Sequence, residues 1–272
     1  MPELPEVQTT VDGLQSIVGT TVESINIINP NLRWPIQKNK FNKLINLKLH
    51  SISRRAKYIE LDFGPYWLII HLGMTGRLFF LQEKVTLSKH DHVLFSLKKP
   101  SQALIFNDVR RFGSMHLVEK NKLNKFFLYQ NLGPEPLFDD FNTEYLFKVS
   151  RNKKISAKSL IMNSKYVVGV GNIYANEALF LSKIKPSRIA QKLKKWECEE
   201  LVTNIKKILK LAIKKGGTTI KDFMNPNQGS GYFQINLSVY GKENLPCPIC
   251  GSKILRTVQN QRSSFYCPIC QI

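Results

Sequence analysis

Cys247-Pro248-Ile249-Cys250, then sixteen residues, then Cys267-Pro268-Ile269-Cys270 is the most specific spacing in this 272-residue chain. Two Cys-x-x-Cys knuckles separated by the length of a hairpin bring four thiolates to the corners of a tetrahedron, the arrangement of a structural zinc site. Four sulfurs close the coordination sphere, so the expected cofactor is one structural Zn2+ at Cys247, Cys250, Cys267 and Cys270. A tail of this size buries too little core to fold alone, and the metal supplies the missing free energy. Between the pairs, Arg256, Gln259, Gln261, Arg262 and Ser263 are polar side chains that a rigid hairpin would hold out. The fifth cysteine, Cys198, lies in a helical pattern and reads as an inert, partly buried thiol.

Outward from the tail, charge is the next informative quantity. The chain carries 40 Lys+Arg against 20 Asp+Glu, a formal net charge of +20. Residues 145–176 hold Lys148, Arg151, Lys153, Lys154, Lys158 and Lys165 with no acid, and residues 201–221 hold six lysines with none. Solvated helix faces normally mix signs. A surface of one sign fits a phosphate backbone, so nucleic acid is the expected partner. No apolar run approaches the ~20 residues of a membrane span, and the first residues lack the basic-then-apolar layout of a signal peptide. The expectation is a cytoplasmic protein with no membrane partner.

Upstream, hydrophobic periodicity divides the chain. Val7, Val11, Leu14 and Val18 recur at helical spacing, with Pro5 suited to the first turn and Glu6 to the positive end of the helix dipole. From 22 to 118 short β-rich segments follow closely: 22–27, 44–49, 58–63, 67–72, 77–81, 93–97, 103–107 and 114–118. That spacing predicts a sandwich or barrel. Leu132-Gly133-Pro134-Glu135-Pro136 marks a boundary. Beyond it the period turns helical near 143–150, 156–163, 173–181 and 193–215, the last ended by Gly216-Gly217. Val168-Gly169-Val170-Gly171-Asn172 leads into the third of these helices. Its glycines allow close approach of an anion, and Asn172 suits an N-cap.

The first residues, Met1-Pro2-Glu3-Leu4-Pro5-Glu6-Val7, carry the chemistry. With Met1 removed, Pro2 would present a secondary amine, a nucleophile that no side chain imitates, and Glu3 would lie one peptide bond away to move protons.

Taken in order, the N-terminal stretch, Arg54-Arg55-Ala56-Lys57-Tyr58, His71-Leu72-Gly73-Met74-Thr75-Gly76, Lys89-His90-Asp91-His92, Arg110-Arg111-Phe112-Gly113, Val168–Tyr174, Gly216-Gly217-Thr218-Thr219 and the four-cysteine tail resemble bacterial formamidopyrimidine-DNA glycosylase from end to end. The resemblance implies an α+β multidomain fold. A β-sandwich with an N-terminal helix would occupy 1–130, a helix-two-turns-helix domain with a lesion-capping loop 131–236, and a zinc-finger β-hairpin 237–272. It implies a monomeric base-excision enzyme that acts on double-stranded DNA containing oxidised bases or abasic sites. Such an enzyme removes oxidised purines and then cuts the strand by β,δ-elimination.

By the same resemblance Pro2 attacks C1′ of the sugar, Glu3 donates and accepts protons, Lys57 protonates in β-elimination and Arg262 serves δ-elimination. An arginine is effectively always protonated, so Arg262 reads chiefly as a phosphate clamp. Met74, Arg110 and Phe112 match the side chains that fill the gap left by an extruded base. His71, His90, Lys153, Lys158 and Asn172 map to DNA-contacting positions. Lys221 lies in the 218–232 stretch that resembles the capping loop. Two departures stand out: Val109 occupies a position where relatives commonly have proline, and Ile155-Ser156-Ala157-Lys158 differs from the commoner pattern. The nearest alternative is the sister glycosylase resembling endonuclease VIII, which acts on oxidised pyrimidines; Leu4 and the Arg110–Gly113 wedge argue against it. A non-catalytic, zinc-containing lesion binder is the alternative from another class.

Overall fold

The computed structural model describes residues 2–82, 86–98, 102–217 and 237–272. They divide into two compact units, one built from the chain up to Gln130 with Gly216 and Gly217, the other from Asn131–Lys215 and the C-terminal residues from 237. No helix among the described residues is long and apolar enough to cross a membrane.

In the first unit, α1 (Leu4–Gly13) starts where Pro5 and a capping box permit it. Glu6 Oε2 accepts the Glu3 N–H at 2.8 Å, satisfying a donor that the helix leaves without a partner. Its stripe of Leu4, Val7 and Val11 is buried, and Leu14 and Ile17 extend it through a 3-10 turn. Eight strands follow: β1 (Val22–Ile27), β2 (Ser51–Arg55), β3 (Tyr58–Asp62), β4 (Tyr66–His71), β5 (Gly76–Leu81), β6 (Asp91–Leu97), β7 (Ala103–Asp108) and β8 (Ser114–Glu119). They form two antiparallel sheets ordered β1-β6-β7-β5 and β2-β3-β4-β8. Ile59, Leu61, Leu68 and Ile70 of one share a core with Val93, Phe95, Leu104 and Phe106 of the other. The unit is a sandwich, which settles the choice that the sequence left open.

The strand expected at 44–49 is a correction. A short helix α2 (Lys38–Phe41) and a 3-10 turn at Asn42–Leu44 lead into that region, which itself carries only an isolated bridge between Thr21 and Lys48. Asn46 sits at φ 65°, a left-handed turn that a continuous ladder cannot contain. The strand is instead β2, whose Ser51, Ser53, Arg54 and Arg55 hid it from hydrophobic patterning.

The second unit contains α3 (Thr143–Ser150), α4 (Ala157–Met162), α5 (Asn172–Leu181), α6 (Lys195–Lys214) and the hairpin β9 (Leu255–Gln259) and β10 (Arg262–Tyr266). Asn142 and Ser156 cap α3 and α4 by accepting from the N–H groups of Tyr145 and Ser159 at 2.9 and 3.1 Å. The expectation that Asn172 caps α5 is corrected: Gly171 is the cap, and Asn172 is the first helical residue. Cys198 is fully buried where part burial was expected, and burial pushes its thiol up to about 11.

Candidate functional site

In the first unit, Pro2 is buried beside Glu3, which is 2% exposed and forms the N-cap of α1. Arg54 ties this helix to the β2–β3 hairpin. Its Nε donates to Gln8 Oε1 at 3.0 Å, and its Nη1 donates to Ala56 O at 2.8 Å. Gln15 adds a bond from Nε2 to Ile52 O at 3.2 Å. Lys57 stands in the two-residue turn of that hairpin, between the paired Arg55 and Tyr58, next to Ala56 at φ 56°. A tight turn held from beneath by a guanidinium gives the lysine a fixed base. Gly217 closes on the same helix: its φ is +84°, and a Cβ there would lie 3.1 Å from Glu6 Oε1.

His71 ends β4 opposite Tyr58, with ring centroids 5.0 Å apart. Its Nδ1 accepts the Gly73 N–H at 3.0 Å. Burial, followed by the charges of Lys57, Arg33 and His116, lowers its pKa to about 4. The imidazole is therefore neutral at pH 7, and the bond to Gly73 assigns its proton to Nε2, which leaves that nitrogen a donor.

Two loops meet beyond His71. The turn bearing Met74 and the loop bearing Arg110 and Phe112 are laced by Asp108, which is completely buried. Its carboxylate accepts from Thr75 Oγ1 at 2.5 Å, Gly113 N at 2.7 Å and Arg110 N at 3.2 Å. The Arg110 N–H also reaches Thr75 Oγ1 at 3.0 Å. Gly73 has φ +62°, and a Cβ on it would meet the Phe112 carbonyl carbon at 2.4 Å, so the two backbones touch. Out of this clasp project Phe112, 46% exposed, and Arg110, whose guanidinium lies 4.6 Å from the Phe112 ring centroid. Met74 is half-buried beside them. His90 reaches the same Asp108 through its carbonyl, which accepts the Asp108 N–H at 3.0 Å. His92 points inward, its Nε2 2.7 Å from Asp108 O. Asp108, Thr75 and Arg54 are positioning residues to which the sequence assigned no role, although Arg54 and Thr75 lie within the quoted motifs and Asp108 lies two residues before one.

In the second unit, Arg262 is exposed at the start of β10, after a two-residue turn in which Asn260 and Gln261 have φ 47° and 59°. That is the primed turn preferred by hairpins. Lys158 is placed differently from its expected surface role. It is 2% exposed, and its Nζ donates to Ser263 O at 2.7 Å and Ser264 Oγ at 2.8 Å. An ammonium spent on the residues next to Arg262 fixes the hairpin and is not presented to solvent. Asn260 Nδ2 adds a bond to Ser159 Oγ at 2.9 Å, and Asn176 Oδ1 accepts the Phe265 N–H at 2.8 Å. Lys153 is half-buried with its ammonium 5.4 Å from the Tyr166 ring centroid, and Asn172 is half-buried at the start of α5. Lys221, the 218–232 stretch and Met1 lie outside the described residues.

The four tail cysteines converge: their sulfurs all lie within 4.8 Å of one another, with Cys247–Cys270 at 3.9 Å and Cys250–Cys267 at 3.4 Å. A tetrahedron of 2.3 Å zinc–sulfur bonds has edges of about 3.8 Å, so the donor set fits one structural zinc. Hydrogen bonds from Ser252, above all, lower the thiol of Cys250 to about 6, whereas Cys250 above all pushes Cys270 up to about 12. Sulfurs this close cannot all ionise until a divalent cation neutralises them. Glu177 of α5 steadies the approach by accepting the N–H groups of Ser238, Val239 and Tyr240 at 2.7, 2.9 and 2.8 Å.

Three family descriptions match the chain in succession. "Formamidopyrimidine-DNA glycosylase N-terminal domain" covers residues 1–115, "Formamidopyrimidine-DNA glycosylase H2TH domain" covers 132–224, and "Zinc finger found in FPG and IleRS" covers 244–272. The chain belongs to the formamidopyrimidine-DNA glycosylase family. Its relatives include the formamidopyrimidine-DNA glycosylases of Hydrogenovibrio crunogenus, 48% identical over all of this chain and 96% of that one, and of Histophilus somni, 44% identical over all of this chain and 99% of that one. A Lactococcus lactis FPG mutant in complex with a Fapy-dG containing DNA superposes with TM-score 0.92 and 33% identity over 99% of each chain. The L. lactis Fpg in complex with an abasic site containing DNA does so with TM-score 0.91 and 32% identity over 99% of each. The family thus joins the sandwich, the helical region and the zinc hairpin of this chain into one DNA glycosylase architecture.

Proposed function

We propose that this chain excises oxidised purines, 8-oxoguanine and formamidopyrimidines, from double-stranded DNA and then cleaves the strand as an abasic-site lyase. The observation that carries the reading is the seat of Pro2 and Glu3 at the start of α1, pinned through Arg54 to the hairpin turn that bears Lys57. Once Met1 is gone, the Pro2 amine attacks C1′. The glycosidic bond breaks with its electron pair leaving on the base, which takes a proton. Glu3 supplies a proton to the sugar-ring oxygen, and the opened sugar is left as an iminium on Pro2. The attacking secondary amine gives up its single N–H as the C–N bond forms, so the iminium has no N–H left to lose, keeps its positive charge and draws electrons when a C2′ proton departs. The 3′ phosphate is expelled first and the 5′ phosphate second, with Lys57 as proton donor for the first and the Arg262 guanidinium stabilising the charge of the second.

An extruded base leaves a hole in the stack, and Met74, Arg110 and Phe112 are the apolar, cationic and aromatic side chains that would fill it. The neutral His71 would offer Nε2–H to a phosphate, while His90, Lys153 and Asn172 add polar contacts. Lys158 acts on DNA through the hairpin that carries Arg262. The DNA-bound L. lactis relatives, with Fapy-dG and with an abasic site, support substrates of this class. The proposed enzyme is a cytoplasmic monomer, and the three segments bounded at 130 and 236 are its domains. The test is borohydride trapping on a duplex with 8-oxoguanine opposite cytosine, followed by peptide mapping. A covalent adduct on Pro2 with both elimination products is expected. Tight binding without an adduct, by protein whose N-terminus is verified as Pro2, overturns the reading in favour of a silent lesion binder.

A further inference from the structure

β8 is an edge strand. In the order β2-β3-β4-β8 it pairs with β4 from Tyr66–Glu119 to His71–Ser114, and among the described residues no strand pairs with its other side. Such an edge presents backbone donors and acceptors to any chain that can lie beside it. Along it runs a groove of about 1010 Å³, lined by Met115–Val118 of the strand, by residues between Trp34 and Lys43, and by Phe126 and Phe127.

The walls give this groove a chemical character. Phe127 is 55% exposed, and with Trp34 and His116 it makes a cluster whose ring centroids lie 5.3–6.2 Å apart. Lys40, Lys43, Lys122 and Lys125 line the groove with a single acid, Glu119. That acid is already occupied: Lys122 Nζ lies 2.6 Å from Glu119 Oε2, and Lys122 first, then Lys43 and Lys40, hold its carboxyl below the ordinary range. Three lysines thus remain uncompensated around an apolar slot.

Nucleic acid is a poor fit. Base stacking needs open ring faces, whereas Trp34 is capped by the Arg33 guanidinium at 4.7 Å, Tyr66 by Lys43 at 5.5 Å, and the Trp34 and Phe127 rings meet edge-on at 71°. What the slot offers is a strand edge, apolar side pockets and positive charge. We propose that this groove docks an extended acidic peptide segment of a partner protein, which adds to the sheet beside β8 with alternate aromatic or aliphatic side chains in the slot and its acids on the lysines. None of the groove's lining residues is among those assigned to strand cleavage, so its occupation would not use up a catalytic side chain.

The probe is a fluorescein-labelled heptapeptide of alternating acidic and apolar residues, Glu-Phe-Asp-Val-Glu-Phe-Asp, titrated by anisotropy against the full zinc-loaded chain at near-physiological salt. Saturable binding is expected, with amide shifts at Met115–Glu119 in NMR spectra. The exposed pair Lys40→Glu/Lys43→Glu should weaken binding about tenfold or more, while leaving affinity for an undamaged duplex and the yield of borohydride adduct unchanged. Absence of binding to the wild type, equal binding by the variant, displacement by a thymidine oligonucleotide or a duplex, or an equal loss of duplex affinity would each overturn the proposal. The last two would mark the groove as a phosphate surface. Because adduct formation is read separately, failure here is distinguishable from failure of the enzyme reading.

Discussion

Replacing Asp108 with alanine should loosen the two loops that carry Met74, Arg110 and Phe112 and leave the sandwich otherwise folded. The magnitude follows from the donors that the carboxylate serves. Gly113 N–H is buried and has Asp108 Oδ2 at 2.7 Å as its acceptor, so its loss costs about 1–3 kcal/mol. Thr75 loses an acceptor at 2.5 Å, whereas Arg110 N–H keeps Thr75 Oγ1 at 3.0 Å and loses little. With a small void added, Asp108→Ala should cost about 2–4 kcal/mol. Asp108→Asn should cost less, about 1–2 kcal/mol, because one oxygen can stay on Gly113 while the new NH2 donates to the Thr75 hydroxyl, at the expense of facing the Arg110 N–H. Urea unfolding gives both values. Amide exchange at Gly113 and Arg110 should accelerate in the alanine variant more than in the asparagine one. On the proposed function, single-turnover excision of 8-oxoguanine should fall in the same order, while trapping on a pre-formed abasic site is less affected because no base remains to be extruded. An alanine variant within about 0.5 kcal/mol of wild type would refute the clasp. A destabilised variant with unchanged excision would refute its bearing on the wedge.

Two further outcomes follow from ionisable groups. His71 and His116 are each held near pKa 4, chiefly by burial, against an ordinary 6.5. The unfolded chain therefore takes up protons below pH 6.5 that the folded one refuses, and stability present above 6.5 is lost as pH falls toward 4, by up to about 3 kcal/mol for His71 and by less for the more solvent-screened His116. Urea midpoints measured from pH 7 to 4.5 should fall, and less steeply in His116→Gln; an unaltered slope would exonerate that histidine. Stripping the zinc with a chelator should release residues 244–272 to protease, because Cys247 and Cys267 also belong to the small core with Phe180, Val239 and Phe265. Resistance that survives verified metal loss would mean that the Asn176, Glu177 and Lys158 bonds suffice.

Much of this protein is legible in one dimension because its signals are local. The Cys-x-x-Cys pairs state their metal, the alternating segments state seven of the eight strands of the sandwich, and the helical periods of the second unit lie within a residue or two of α3 to α6. Where the local signal fails, a long-range term has overridden it. Leu44 and Leu49 are buried as apolar residues should be, but Asn46 turns the chain between them, and the polar β2 is a strand because β3 pairs with it.

The roles of polar side chains were beyond the sequence for the same reason. Lys158 reads as a surface cation in a run of cations; only the fold brings Ser263 and Ser264, more than a hundred residues away, to its ammonium. Asp108 reads as one acid in a loop until the turn at Thr75 closes on it. The sequence by itself determined composition, periodicity, the metal and the kinship. Tertiary structure alone decided which charges are spent inside and which are left to act, because burial and hydrogen-bond partners are properties of residues brought together from distant parts of the chain.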